Sequence, residues 1–331
     1  GDPEQLTALL TDVARRAEAD LAAAEAQAED ERAEALRAWR ETAALAWWTD
    51  TSAALEAYRR ITELAPEDAE AWLQRGRLAE RSGNVEEALR SFSTAAEHAS
   101  TAEEQVIAKL RTGDIKLKQG NLVGAKLDYL TSRRVLVEAL KNEPDNFALK
   151  FSLGLTYERT GGARRAAGEL SGALKAYESR HEIVSELAAS DPDNAGWRRD
   201  LSVSHEKIGD VRRDQGDLAG ALSAYEASQA IFEELAASDP ANAGWQRDLS
   251  VSHNKVGDVR RDQGDLAGAL AAYEAGLAIR DGLAALDPEN ASWQRDLSVS
   301  FDRIGDVRRD QGDLAGALAA YEAGLAIRGE L

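Results

Sequence analysis

From Ala195 to Gln215 the apolar residues Trp197, Leu201, Ile208 and Val211 fall on one side of a helix, and Gly216 then ends the run. Asp217 is placed to cap a second helix whose inward stripe is Leu218, Ala221, Leu222, Tyr225, Phe232 and Leu235. The link Asp239–Pro240–Ala241–Asn242 stops that helix, because proline cannot continue a helical hydrogen-bond ladder. This two-helix pattern returns every 48 residues: Gly257–Arg280 reappears letter for letter as Gly305–Arg328, and related stretches begin at Gly209, Gly161 and Gly113. Pro144, Pro192, Pro240 and Pro288 keep the same step. A fixed period of this size predicts stacked two-helix units, each covering its neighbour's apolar face.

Before residue 101 the period is shorter. Ala54, Tyr58, Ile61 and Pro66 are followed by Trp72, Gly76, Gly83, Ala88, Phe92 and Ala95, with 34 residues from Ala54 to Ala88. Gly76 and Ala88 allow two helices to approach closely, Trp72 and Phe92 fill the space beside them, and Gly83–Asn84 closes one helix and starts the next. Glu87, three residues after Asn84, is expected to complete a capping box. The later units gain 14 residues, divided as seven per helix; seven residues are about two turns, so each helix lengthens without losing the phase of its apolar face. Pro3–Trp48 has no further glycine or proline and is expected to be helical throughout or broken once, at Glu29–Asp30–Glu31. It reads as a cap for the array; a short coiled-coil seam of Leu6, Leu9, Leu10, Val13 and Leu21 is the other reading.

The tryptophan, glycine, alanine, phenylalanine, alanine and proline spacing resembles the tetratricopeptide repeat family, over nearly the whole chain after residue 34. That resemblance implies an all-α fold, a right-handed α-solenoid of stacked antiparallel helix hairpins. The expected organisation is a helical lead over 1–34, two hairpins of family length over 35–100, and five extended hairpins over 101–331, the last truncated. Arg212, Arg260 and Arg308 depart from the family, which usually has an aromatic there. The chain starts at Gly1 without methionine and stops at Leu331 within a helix, so it is expected to be a piece of a longer protein with further repeats or another domain.

Composition narrows the function. The net charge of −19 over 331 residues argues against a nucleic-acid surface and favours solubility or basic partners. The absence of cysteine excludes disulfides and thiol chemistry. No apolar run approaches the roughly 20 residues that span a bilayer, and the acidic start does not resemble a signal peptide, so a cytoplasmic location is expected.

No phosphate-cradling, dinucleotide-binding, HExxH or GxSxG motif is present, and no cofactor or metal is expected. His205 and His253 share a column with Tyr157 and Phe301, the mark of a packing position, while His98 and His181 have no matching partners. Asp210, Arg213 and Asp214 recur as Asp258, Arg261, Asp262 and as Asp306, Arg309, Asp310. This set is either a charged wall offered to a partner or a series of ion pairs within each helix. The resemblance implies that the first helix of each hairpin lines a concave face that receives protein segments. Counting from the repeat glycine puts Leu73, Arg77, Glu80 and Arg81 there, then Leu110, Asp114, Leu117 and Lys118, then Glu158 and Arg165. The divergent hairpins before about residue 190 are the better source of specificity. Trp39, Trp47 and Trp48 are expected to pack near the lead helix. The chain therefore reads as a non-enzymatic scaffold for a protein or peptide, including basic ones; the alternative is a regulatory arm of a larger signalling or defence enzyme. A consensus-built array is a further reading, opposed by the irregular first 190 residues.

Overall fold

The structure, a computed structural model, describes the backbone of residues 3–330 and, within that span, the side chains of all but 3–14, 17–24 and 330. The described residues form helices joined by short turns, with no strand. In order these are α1 (Pro3–Ala46), α2 (Thr51–Leu64), α3 (Ala69–Arg81), α4 (Val85–His98), α5 (Ala102–Lys118), α6 (Leu122–Asn142) and α7 (Phe147–Ala166). They continue as α8 (Leu170–Ser190), α9 (Ala195–Asp214), α10 (Leu218–Ser238), α11 (Ala243–Asp262), α12 (Leu266–Leu286), α13 (Ala291–Asp310) and α14 (Leu314–Glu330). The chain divides into two units, Gly1–Leu136 and Val137–Leu331.

In the first unit α1 to α5 pack each against the next. The unbroken α1 passes straight through Glu29–Asp30–Glu31. The leucine and valine side chains of the coiled-coil reading lie outside the described residues. The core gathers Leu55, Leu73, Leu78, Phe92 and Ile115, with Trp47 and Trp72 against it. Gly76 is required by contact: a Cβ there would lie 2.6 Å from the Phe92 ring. Asn84 caps α4 by accepting from the Glu87 amide, but Glu87 does not close a capping box. Its carboxylate is taken by Arg59 at 2.6 Å and Arg75 at 3.0 Å, two cations that outcompete a single backbone amide. The box forms instead at Thr101 and Glu104 on α5.

In the second unit consecutive helices from α7 to α14 pack pairwise. The first helices are 20 residues and the complete second helices 21, against 13 and 14 in α3 and α4, so each has gained the seven that the spacing predicts. Asn146, Asn194, Asn242 and Asn290 cap the first helices two residues after each proline. Asp217 and Asp265 cap second helices after left-handed glycines at 216 and 264, with φ of 80° and 82°. Each junction buries the same set: Tyr225, Val256 and Val259 in one, Tyr273, Ile304 and Val307 in the next. Deeper positions differ. Arg180 is buried beside Glu158 and Asp200, Ser202 bonds Ser228, and Arg280 reaches Ser250, Ser300 and the Asp296 carbonyl.

Candidate functional site

The first helices of the second unit carry the recurring Asp and Arg residues, and the glycine just before the first Asp of each set lets the tyrosine ring of the following helix pack closely there. Tyr225 Oη donates to Asp210 at 2.7 Å, Tyr273 to Asp258 at 2.6 Å and Tyr321 to Asp306 at 2.8 Å. The cations come from neighbouring repeats. Asp210 on α9 receives Arg165 from α7 at 3.3 Å and Lys255 from α11 at 2.6 Å. Asp258 on α11 is approached by Arg213 from α9 and Arg303 from α13. Asp306 receives Arg261 from α11 at 3.3 Å and Arg309 from its own helix at 3.3 Å. Arg165, Arg213 and Arg261 also reach Asp214, Asp262 and Asp310 of the next repeat. The ion pairs thus run mainly between repeats rather than along one helix. A helix-local reading fails because a side chain here is nearer to the adjacent parallel helix than to the carboxylate a turn away.

Titration follows from this packing. Burial, then the Asp210 carboxylate, pushes the Tyr225 hydroxyl far above its ordinary range, and Tyr177 is pushed up to about 12 by burial and Glu158. Burial acts to raise Asp210 as well, but Lys255 and the tyrosine hydrogen bond overcome it and leave the carboxyl below its usual value. Glu158 forms an ion pair with the buried Arg180 at 2.8 Å. The predicted wall of the second unit is therefore already paired with itself.

The first unit is different. Leu73 is a core residue at 4% exposure, so it serves packing rather than contact. Leu110 and Leu117 are half-buried on α5, and Asp114 accepts the Tyr129 hydroxyl at 2.8 Å. Glu80 on α3 and Lys118 on α5 come together at 2.8 Å. Among the described residues Arg77 and Arg81 have no carboxylate partner. Arg77 touches only Gln74 at 3.3 Å with its Nε unsatisfied, and Arg81 touches Thr51 at 3.2 Å and the Trp47 carbonyl at 3.5 Å. Trp39 and Trp47 pack into separate clusters, whereas Trp48 is 86% exposed.

Sequence reasoning missed Lys255 and Arg303, which a search at one period minus three residues from Asp210 and Asp258 finds. It also left His181 without a partner, but its ring lies 4.5 Å from that of His205, half a period away on the next first helix. Among the described residues no group of three or more histidine, aspartate or glutamate side chains is arranged to hold a metal ion, and no helix is long and apolar enough to cross a membrane.

Two family profiles described as tetratricopeptide repeat match residues 48–112 and 117–181. No curated protein matches the chain in sequence. Among solved structures the chain is similar to BtubC (BKLC) from P. vanneervenii, at 19% identity and a TM-score of 0.53 over 88% of this chain and 92% of that one. It is similar to the apo form of RapI at 14% identity and a TM-score of 0.58, over 89% of this chain and 85% of that one. A protein from Parabacteroides merdae ATCC 43184 whose structure is titled as a tetratricopeptide repeat protein gives 15% identity and 0.51, over 89% and 93%. At these identities the likeness is one of fold.

Proposed function

This chain is a tetratricopeptide repeat protein, and from that premise we propose that it is a non-catalytic scaffold holding a protein or peptide on the face built by its first helices, the concave face of such arrays. The observation that carries this reading is the contrast in paired charge. Among the described residues Arg77 and Arg81 keep donors with no carboxylate to receive them, while the equivalent wall of the second unit is closed on itself. Unspent guanidinium donors on a helix face favour a segment bringing carboxylate or carbonyl acceptors. Leu110 and Leu117 on α5 offer apolar contact, and Lys118, 70% exposed, is a further cation there. Over longer range the net charge of −19 steers a partner that is basic as a whole.

The test is capture from the native source with the wild-type chain and with Arg77, Arg81 and Lys118 all changed to Glu. The reading expects a discrete retained protein that the triple variant releases, and no hydrolase or nucleotide-dependent turnover. Equal retention by both forms places the site elsewhere.

A further inference from the structure

A pocket of about 310 Å³ opens in the second unit between α10 and α12, floored by His253 and Val256 of α11. One wall is polar, from Glu226, Gln229 and Glu233 with Arg260 of α11 beside them; the other is alanine, from Ala271, Ala272 and Ala275. The equivalent positions of the neighbouring repeats hold different side chains. One repeat earlier, the residue equivalent to Gln229 is His181, whose ring lies 4.5 Å from that of His205, the equivalent of His253, tilted by 60°. One repeat later that residue is Leu277, packed into the core cluster around Ile304, and the floor residue is Phe301. In the middle repeat Gln229 turns along its own helix and donates to Glu233 at 2.7 Å. Among the described residues His253 has neither a neighbouring ring nor a hydrogen-bond partner, and it lines the pocket.

We propose that this pocket receives an arginine side chain of a protein partner, the guanidinium lying over the His253 imidazole, in the place that His181 takes beside His205 one repeat earlier, and pairing at its edge with Glu233. A planar cation fits over the face of the ring, and alanine is small enough to let the cation's aliphatic stem lie along α12. Lysine lacks the flat face and the fork of donors. The wall charge points the same way: Glu226 is met by Arg260 at 3.3 Å, whereas among the described residues Glu233 accepts only from the Gln229 amide. Burial keeps His253 below its ordinary pKa despite Glu233, so at neutral pH the ring carries no charge to repel a guanidinium.

The inference rests on the scaffold reading for its class of partner but uses different residues, so the two fail separately. The experiment is an NMR titration of the full chain with acetyl-Gly-Arg-Gly-amide and its lysine counterpart, following the His253 ring and the Gln229–Glu233 amides. The arginine peptide is expected to give saturable shifts confined to the groove, about fivefold tighter than lysine. Gln229→His, which places a ring where the repeat before has one, is expected to abolish binding with helix content unchanged. Glu233→Gln, at an exposed position, is expected to weaken it about threefold. Non-saturable shifts, equal binding of the lysine peptide, or wild-type binding by Gln229→His overturns the proposal. The Arg77, Arg81 and Lys118 triple variant is expected to bind the arginine peptide as wild type does; loss there also overturns it.

Discussion

The α3–α4 hairpin of the first unit and the α9–α10 hairpin of the second solve one packing problem with different chemistry. Both set a glycine of the first helix under an aromatic ring of the second, Gly76 under Phe92 and Gly209 under Tyr225. The phenylalanine is held by packing alone, whereas the tyrosine is also fixed through its hydroxyl to Asp210, which is itself clamped from α7 and α11. The longer hairpin thereby converts each junction into a polar link between repeats. The shorter one gathers two cations on one carboxylate, Glu87 with Arg59 and Arg75, pairs Glu80 with Lys118, and leaves Arg77 and Arg81 for other use. Where the units are most alike their charges are spent on one another; where they diverge, some remain available.

The largest expected effect breaks the first unit at its charge centre. Glu87→Ala strands two guanidinium groups, one of them largely buried, and is expected to cost about 3 kcal/mol in urea unfolding followed at Trp47 and Trp72. Arg59 and then Arg75 hold the Glu87 carboxyl below its ordinary value, so its contribution is present above the unfolded carboxylate range and is lost as pH falls through the lower folded value.

Next come the glycines. Gly257→Ala places a methyl 2.5 Å from the Tyr273 ring and is expected to cost about 2 kcal/mol, because the hydroxyl bond to Asp258 keeps the ring from yielding. Gly76→Ala meets an unanchored Phe92 ring and is expected to cost less, about 1 kcal/mol. Equal costs, measured by chemical denaturation, remove the distinction between the two solutions.

A smaller effect separates the units by pH. Burial, with His181 beside it, pushes His205 down to about 4. An unfolded histidine gains its proton near 6.5 and the folded one only near 4, so the second unit loses stability as pH falls between those values. After screening of a half-buried ring this amounts to about 1 kcal/mol. His205→Phe, which copies Phe301 of the same column, is expected to flatten that part of the stability profile. Smallest is the ion-pair series. Arg213→Gln and Arg261→Gln are each expected to cost about 0.5 kcal/mol, less at high salt, by denaturation at two ionic strengths.

Much of the fold was legible because period is a global signal. The proline step marked where one long hairpin stops and the next starts, which is where the structure places the Asn194, Asn242 and Asn290 caps, and the 14 added residues foretold two helices longer by seven. The site was less so. Arg213 finds its carboxylates at spacings of 45 and 49, which a reading along one helix passes over. Leu73 faces inward although its helix also presents Arg77 and Arg81, because a count from the repeat glycine gives the helix but not the rotation of each side chain. Glu87 had the spacing of a cap residue, and only the arrival of Arg59 from 28 positions away decides its role.

The account's central claim is that the divergent first unit, not the self-paired second, carries the acceptor-seeking face for the partner. Hydrogen exchange of the captured complex against the free chain tests it most directly. Slowed exchange over α3 and α5 around Arg77, Arg81 and Lys118, lost in the triple Glu variant, is the predicted result; unchanged exchange over α3 and α5 in a saturated complex contradicts it.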